Sequence, residues 1–351
     1  MSDFITQPTP STDPPPAAPA TSSALHRIFI GKDGLRAGWS LLLFVMLCLA
    51  LFRATAFLAH TVHLLPPAPP RGTALIPGPT LAIISETLPF LVTLLVTWIM
   101  ARLERRPVSV YGLGGERRLP LFLSGLGWGV LGLSLLVLTL WKAGLLVFDS
   151  RLLFGSDILR YGAAWLVGFL AVGLLEEYLS RGYLQYTLTR GLAGFYRWAF
   201  KTRHSVMFGY WTGALLVSIL FGLGHHANPG ESPIGLLSAG LAGLVFCLSL
   251  WRTGSLWWAI GFHTSWDWAQ SFLYGVPDSG TMIKFHFLAS HPVGKPILSG
   301  GLTGPEGSIF ILPMLLLIAL IILFTLPRAR DGYGHLQPQG EPENLRMQSA
   351  G

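Results

Sequence analysis

The sequence predicts an all-α protein, a polytopic transmembrane helical bundle of about eight spans. Hydrophobic residues make up 51% of the chain and charged residues only 12%, whereas a soluble domain carries about 25% charged residues. The mean hydropathy is +0.54. The apolar runs are continuous rather than alternating, which is typical of membrane helices and not of the strands of a membrane barrel.

Eight apolar runs are long enough to cross a bilayer, since about 20 apolar residues in a helix span the hydrocarbon core. Their predicted limits are 38–60, 80–102, 119–146, 161–188, 209–228, 233–251, 254–275 and 308–326. Both cysteines fall inside predicted spans, at Cys48 and Cys247. We therefore expect neither a disulfide framework nor a metal cluster built on cysteine.

The Lys and Arg residues indicate the orientation of these spans. Most lie at the N-terminal flank, in alternate loops and at the C-terminal end, namely Arg27, Lys32, Arg36, Arg102, Arg105, Arg106, Arg117, Arg118, Arg190, Arg197, Lys201, Arg203, Arg252, Arg328, Arg330 and Arg346. The other loops hold Arg71, Arg151, Arg160, Lys284 and Lys295. Because basic loops stay in the cytoplasm, both termini are predicted to be cytoplasmic. The net charge of +7 is thus mainly a signal of topology in the lipid bilayer, and we expect no nucleic-acid partner.

The chain divides into five predicted parts. Residues 1–26 are rich in Pro, Ser, Thr and Ala, which predicts a disordered N-terminal tail. Residues 27–160 form N-terminal transmembrane helices, 161–275 a core that carries the polar motifs, and 276–327 a loop with the last transmembrane helix. Residues 328–351 are predicted to be a disordered C-terminal tail.

One predicted span is interrupted by charge, at Glu176-Glu177-Tyr178-Leu179-Ser180-Arg181. Each charged group in hydrocarbon costs roughly 2.5–3.5 kcal/mol or more, so such residues are functional candidates. Glu177 and Arg181 are four residues apart and can pair on one helix face. Glu176 lies about 100° around the helix without a partner, and is a candidate general base. The structural alternative is a polar cluster that holds helices together.

Two further spans carry polar pairs at helical spacing. Phe221 and His225 are four residues apart, as are His263 and Asp267, so each pair shares a helix face. Asp267 could orient the imidazole of His263. Polar residues in a bundle collect around one interior cavity, and we expect the three motifs to converge.

Two hydrolytic mechanisms fit Glu176, His225 and His263. The first is a zinc site with two histidines, one glutamate and an open position for water. The second needs no metal: Glu176 activates water, and His225 with the His263–Asp267 pair stabilises the oxyanion. No cofactor is favoured, and zinc stays possible. The sequence contains neither HExxH nor GxSxG, so the common zinc and serine hydrolase signatures do not apply.

The motifs EEYLSR, FGLGH and HTSWD, in that order, resemble the EExxxR, FxxxH and HxxxN/D motifs of the CPBP family. This family contains the type II CAAX prenyl endopeptidases (Ras-converting enzyme) and bacterial bacteriocin-processing and immunity-type membrane proteins. The resemblance covers roughly 160–275. It implies a catalytic base at Glu176 with support from Glu177, Arg181 and Phe221, and a site completed by His225, His263 and Asp267. Eukaryotic members usually have Asn in place of Asp267; an ionised aspartate cannot donate a hydrogen bond.

The resemblance implies a membrane-embedded endopeptidase of the CAAX prenyl protease 2-like type. Its expected substrates are membrane proteins or lipidated peptides, and its expected location is a bacterial inner (plasma) membrane. Two alternatives stay open. One is a catalytically silent immunity or scaffold protein. The other is a cation transporter that uses the same Glu/His cluster, for which inverted repeats would be expected, and the sequence shows no such repeat.

Overall fold

The computed structural model describes residues 28–31, 34–66 and 76–329. The N-terminal tail predicted for 1–26 lies outside these ranges, as does the predicted C-terminal tail beyond residue 329. Among the basic residues used for the orientation, five also lie outside them: Arg27, Lys32, Arg71, Arg330 and Arg346.

The described chain is a helical bundle, as predicted. Its helices are α1 (Ala37–Thr61), α2 (Pro79–Leu103), α3 (Arg118–Lys142), α4 (Ser156–Glu177), α5 (Gln185–Phe200), α6 (Ser205–Gly224), α7 (Pro233–Thr253), α8 (Trp257–Asp267), α9 (Pro296–Ser299) and α10 (Ile311–Thr325). A first π-helical segment, Tyr178–Leu184, joins α4 to α5, and a second, Trp268–Leu273, follows α8. The all-α fold class is confirmed.

Six helices in the described part of the chain are long and apolar enough to cross a membrane. They are α1, α2, α3, the continuous helix Ser156–Phe200, the helix Ser205–Ala227, and α7. The last two predicted spans are shorter than expected. The run predicted at 254–275 is α8 with its π segment, where Trp258, Ala259 and Ile260 are fully enclosed, so its apolar sequence reflects burial among other helices. The run predicted at 308–326 is α10, an apolar helix of 15 residues.

Two antiparallel ribbons accompany the helices. Strand β1 (Ile30–Gly31) pairs with β2 (Gly34–Leu35), and β3 (Leu146–Arg151) pairs with β4 (Leu288–Pro292). The predicted third span ends at the residue where β3 begins. The β3–β4 ribbon ties the connection between α3 and α4 to the loop that follows the second π segment.

Helix α8 is held in the interior by close packing on α3. A Cβ atom at Gly125 would overlap the carbonyl oxygen of Trp258, and one at Gly129 would overlap Ser265 Oγ and the carbonyl oxygen of Phe262. Small residues at such positions let two helix backbones approach closely in a membrane. The two glycines therefore fix the position of the helix that carries His263 and Asp267.

A buried polar network anchors the first π segment at its other side. The hydroxyl group of Tyr183 donates a hydrogen bond to Glu104 Oε1 at 2.9 Å. The carboxylate of Glu104 also lies 3.6 Å from Arg106 Nε and 3.5 Å from Arg190 Nη2. Arg190 donates in turn to the carbonyl oxygen of Leu35 at 3.0 Å. The network thus links α2, the π segment, α5 and the residues that precede α1.

Candidate active site

Both charged motifs stand where an α-helix changes to a π-helix. Glu176 and Glu177 are the last two residues of α4, and the first π segment begins at Tyr178. Asp267 is the last residue of α8, and the second π segment begins at Trp268. Short π-helical segments are rare and occur frequently at functional sites, because they change the direction of side chains along the helix.

Glu177 and Arg181 form the predicted ion pair in a fully enclosed position. Arg181 Nη1 lies 2.8 Å from Glu177 Oε1, and neither side chain is exposed. The guanidinium carbon lies 4.0 Å from the centre of the Phe221 ring on α6, a cation–π arrangement. On α7, a Cβ atom at Gly243 would lie 2.6 Å from Arg181 Nη2. The guanidinium group is therefore enclosed by three parts of the bundle.

The imidazole of His263 is surrounded by carboxylates from both motif helices. Its Nδ1 lies 3.0 Å from Glu177 Oε1, and its Nε2 lies 3.4 Å from Asp267 Oδ2 and 3.7 Å from Glu176 Oε2. A carboxylate only accepts hydrogen bonds, so this arrangement is satisfied when both ring nitrogens carry a proton. The spacing of four residues predicted that Asp267 orients His263. The contact of His263 with Glu177, which lies on a different helix, is shorter than its contact with Asp267.

The two adjacent glutamates differ in their access to the interior space. The Glu177 side chain is fully enclosed, whereas that of Glu176 is 30% exposed. Glu176 Oε2 has no hydrogen-bond partner, and Ser180 Oγ donates to the backbone carbonyl oxygen of Glu176, not to its carboxylate. Although Oε2 is enclosed, the side chain as a whole is partly exposed and lines the interior cavity, where a water molecule or a substrate can reach it.

His225 lies in the short 3₁₀ turn His225–Ala227 that ends α6. Its Nδ1 is 2.9 Å from the carbonyl oxygen of Phe221. Because a carbonyl oxygen accepts, Nδ1 carries the proton and Nε2 is left for another partner. The Phe221 ring lies 5.0 Å from the His225 ring and 6.4 Å from the His263 ring. His225 is therefore near the cluster but makes no hydrogen bond or ion pair with Glu176 or His263.

A cavity of about 800 Å³ connects these groups. Glu176, His225, His263 and Asp267 all line it, together with Phe221. Its volume is in the range of ligand pockets, about 300–1,000 Å³. One part is lined by apolar side chains of α1, the first π segment, α5 and α6, namely Leu41, Val45, Leu179, Leu184, Leu188, Val217 and Leu220. Residues of all three motifs therefore line one interior space.

A comparison with protein families identifies the segment that carries the motifs. The model of the type II CAAX prenyl endopeptidase Rce1-like family matches residues 158–269, and these residues include all three motifs. This segment of the chain is similar to the Rce1-like family. No curated protein and no solved structure matched the chain. The similarity supports an intramembrane protease in general, and the six candidate spanning helices indicate an integral, multi-pass membrane protein.

Three acidic residues of the cavity were not singled out from the sequence. Glu86 on α2, Asp278 and Glu306 line the same space. Glu86 could have been found, because it is an acidic residue inside a predicted span, to which the argument used for Glu176 applies equally. Asp278 and Glu306 lie in loops outside the predicted spans, where an acidic residue gives no signal.

The loop acids cover the cavity at the end where α6 stops. Glu306 accepts hydrogen bonds from Trp266 Nε1 at 2.8 Å and from Ser279 Oγ at 3.1 Å. Burial, and then the neighbouring carboxylates of Asp267 and Glu306, hold the pKa of Asp278 well above its ordinary value. Asn228, at the end of α6, donates to the carbonyl oxygen of Ser279 at 2.8 Å. These contacts close the bundle over the polar cluster.

The residues proposed for zinc do not fit a zinc site as they are placed. Within the described ranges, no three His, Cys, Asp or Glu side chains are grouped so that they could hold a metal ion together. Glu176 and His263 are close to each other, but His225 makes its hydrogen bond with the carbonyl oxygen of Phe221 and forms no ion pair with either of them. A zinc site needs its ligands at about 2.0–2.2 Å from one ion. We therefore derive no catalytic step from this ligand set.

Proposed function

We propose that this protein is an intramembrane endopeptidase that hydrolyses peptide bonds of membrane-associated proteins or lipidated peptides without a metal ion. The observation that carries the proposal is the contact between Glu176, Glu177 and Asp267 and a single imidazole, that of His263, beside an interior cavity. The similarity of residues 158–269 to the Rce1-like family supports the same reaction class.

Glu176 is assigned as the general base. Its side chain is 30% exposed and lines the cavity, so its carboxylate can accept a proton from a bound water molecule. That water then attacks the carbonyl carbon of the scissile peptide bond. Glu177 cannot take this role, since its side chain is enclosed and one of its oxygens is shared by Arg181 and His263.

We assign His263 the role of stabilising the negative charge that develops on the carbonyl oxygen of the substrate. Glu177 holds its Nδ1–H at 3.0 Å and thereby fixes the ring. The contacts of Nε2 with Asp267 and Glu176, at 3.4 and 3.7 Å, are longer than a good hydrogen bond. Its N–H group is therefore available for a substrate oxygen, and fixed donors of this kind stabilise an oxyanion strongly in a water-poor site. Asp267, as an acceptor, supports the charge of the ring and does not itself bind the oxyanion.

His225 is assigned as a second group at the substrate. Its Nδ1 proton is donated to the carbonyl oxygen of Phe221, so its Nε2 is the nitrogen that can contact a ligand. When it is protonated, Nε2 can donate to the same oxyanion or to the backbone of the substrate. The apolar part of the cavity suits a substrate that arrives through the bilayer, and we propose a bacterial inner membrane as the location.

The experiment that tests the function compares membranes from cells that produce the wild-type chain with membranes from cells that produce Glu176→Gln. Mass spectrometry of peptide termini should find new termini in membrane proteins only with the wild type. The substitution keeps the shape of the side chain and removes the base, so cleavage should fall by about 10²–10⁴-fold.

The matched control is Glu116→Gln, the same chemical change at an exposed residue outside the cavity. This variant should give the wild-type set of termini. Equal sets of termini from the wild type and Glu176→Gln would contradict the proposed function. In that case the silent scaffold and the transporter would be the remaining alternatives.

A further inference from the structure

Glu86 is an acidic residue of the cavity that none of the three motifs contains. It is the only acidic residue of α2, and it lies outside the segment 158–269 that matches the Rce1-like family. Its side chain lines the same cavity as Glu176. A carboxyl group inside a membrane helix costs free energy, and none of the three motifs explains why Glu86 is there. Glu86 is therefore a functional candidate in its own right.

The packing of α2 along α4 places Glu86 near the end of α4. Ile83 lies against Gly168, and two turns further on the ring of Phe90 lies 6.3 Å from the ring of Tyr178. The contacts advance in the same direction on both helices, so α2 and α4 run parallel here. Glu86 lies between these two contacts. Its backbone is therefore about one helical turn, ~5.4 Å along the axis, from the level of Glu176.

The carboxyl group of Glu86 forms no ion pair with a cation in the described part of the chain. Its hydrogen bond comes from Ser85 Oγ at 3.3 Å, and among the described Lys, Arg and His residues none forms an ion pair with it. Arg181 is already paired with Glu177. Both carboxyl groups line the same cavity, about one helical turn apart in level, so they repel each other when both are ionised. Two carboxyl groups in such an arrangement hold one proton between them.

The proposed hydrolysis also needs a proton at the departing nitrogen when the peptide bond breaks. Glu176 then holds the proton that it took from water, the Nδ1–H of His263 is directed to Glu177, and the Nε2–H of His263 is assigned to the oxyanion. The Nδ1 proton of His225 is donated to a backbone carbonyl. A second carboxyl group that lines the cavity and is protonated, such as Glu86, can supply this proton.

We propose that Glu86 is the proton donor of the reaction and forms an acid–base pair with Glu176; this role rests on the proposed endopeptidase function. Glu176 takes a proton from water as the oxygen attacks the carbonyl carbon. Glu86 then gives its proton to the nitrogen as the carbon–nitrogen bond breaks, which releases an amine and a carboxylic acid. The proton on Glu176 passes to Glu86, and both groups return to their first state.

The first test does not depend on a substrate. Infrared spectra of the full-length protein in lipid nanodiscs at neutral pH report protonated carboxyl groups through their carbonyl stretch. The difference between the wild type and Glu86→Gln should contain one such band, and the difference between the wild type and Glu116→Gln should contain none. The absence of the band from the first difference would overturn the proposal. If the Glu86→Gln protein does not accumulate in cells, Glu86→Asp replaces it. This variant retains a carboxyl group, so its band should remain at a shifted frequency.

The second test uses the cleaved membrane proteins identified by their new termini, or a prenylated peptide probe with a fluorescence readout. Glu86→Gln should lower kcat by about 10²–10⁴-fold and leave KM nearly unchanged, and Glu86→Asp should recover part of the rate. Full activity of Glu86→Gln overturns the role of proton donor. A failure of the endopeptidase proposal itself gives a different result. In that case Glu176→Gln would yield the same termini as the wild type, while the infrared band of Glu86 would still be present.

Discussion

Glu177 on α4 contacts His263 on α8 through the same oxygen atom that binds Arg181. Oε1 of Glu177 lies 3.0 Å from Nδ1 of His263 and 2.8 Å from Nη1 of Arg181. This oxygen therefore connects two sequence motifs that are 86 residues apart. The ion pair that stabilises the helix and the position of the imidazole depend on one carboxylate.

We expect the removal of Arg181 to destabilise the protein. In Arg181→Ala the carboxylate of Glu177 is left enclosed without its cation, which costs roughly 3–5 kcal/mol. The control is Arg118→Ala, which removes an exposed arginine and should change stability by less than about 0.5 kcal/mol. Thermal unfolding in detergent measures both. Equal melting temperatures for Arg181→Ala and the wild type would argue against a structural role of the pair.

The contact between Glu177 and His263 should appear as energetic coupling in activity. Glu177→Gln and His263→Asn should each lower the cleavage rate, and the double variant should lose less than the sum of the two effects. Residues in direct contact show coupling energies of about 0.5–3 kcal/mol. The cycle is measured with the rate of formation of the membrane-protein termini. Strictly additive losses would mean that Glu177 does not act through His263.

Gly243 should be intolerant of a side chain because it makes room for the guanidinium group of Arg181. A Cβ atom there would lie 2.6 Å from Arg181 Nη2 and 3.0 Å from Ser218 Oγ. We expect Gly243→Ala to destabilise the protein by about 1–3 kcal/mol through overpacking. Gly127→Ala is the matched control, since nothing lies within 4 Å of its Cβ position. A Gly243→Ala protein that melts like Gly127→Ala would contradict the close packing around Arg181.

Asp278 should make the protein less stable as the pH rises. Burial raises its pKa in the folded state, above the value of about 3.9 of an unfolded chain. Below the unfolded pKa both states are protonated; above it the unfolded state gives up the proton first, so stability falls until the folded pKa is reached. Asp278→Asn removes this loss. We expect the variant to melt higher than the wild type at neutral pH, with the difference disappearing near pH 4.

Two comparisons check the origin of this pH effect. Asp149→Asn changes an exposed aspartate and should not reproduce it. If Asp278→Asn is less stable than the wild type at neutral pH, the hydrogen bond that Asp278 accepts from Ser271 Oγ at 3.3 Å outweighs the cost of burial.

Metal analysis separates the two hydrolytic mechanisms. We expect active protein to contain no stoichiometric zinc and to keep its activity after treatment with a chelator, because His225 is not grouped with Glu176 and His263. Elemental analysis of the purified chain, followed by the cleavage assay, measures both. About one zinc per chain, with activity that is lost on chelation and restored by the metal, would reverse the choice of mechanism and leave the peptidase assignment in place.

The membrane class, the helical fold and the pairing of Glu177 with Arg181 could be predicted because they depend on local rules. A continuous apolar run predicts a membrane helix, and a spacing of four residues places two side chains on one helix face. The same rules marked Glu176, His225, His263 and Asp267 as candidates. The rule that a charged residue inside a span is a functional candidate also applies to Glu86.

The contacts between helices were decided by the tertiary structure. No local pattern shows that His263 approaches Glu177 more closely than Asp267, since this contact depends on the packing of α4 against α8, where Gly173 lies against Ile260 and Thr264. Nor does a local pattern show that the Phe221 ring lies near both His225 and His263. Apolar sequence alone also cannot distinguish a lipid-facing span from α8, which is apolar because other helices surround it. Spacing along the chain determines which side chains share a helix face, but only the packing of the faces determines which of them meet.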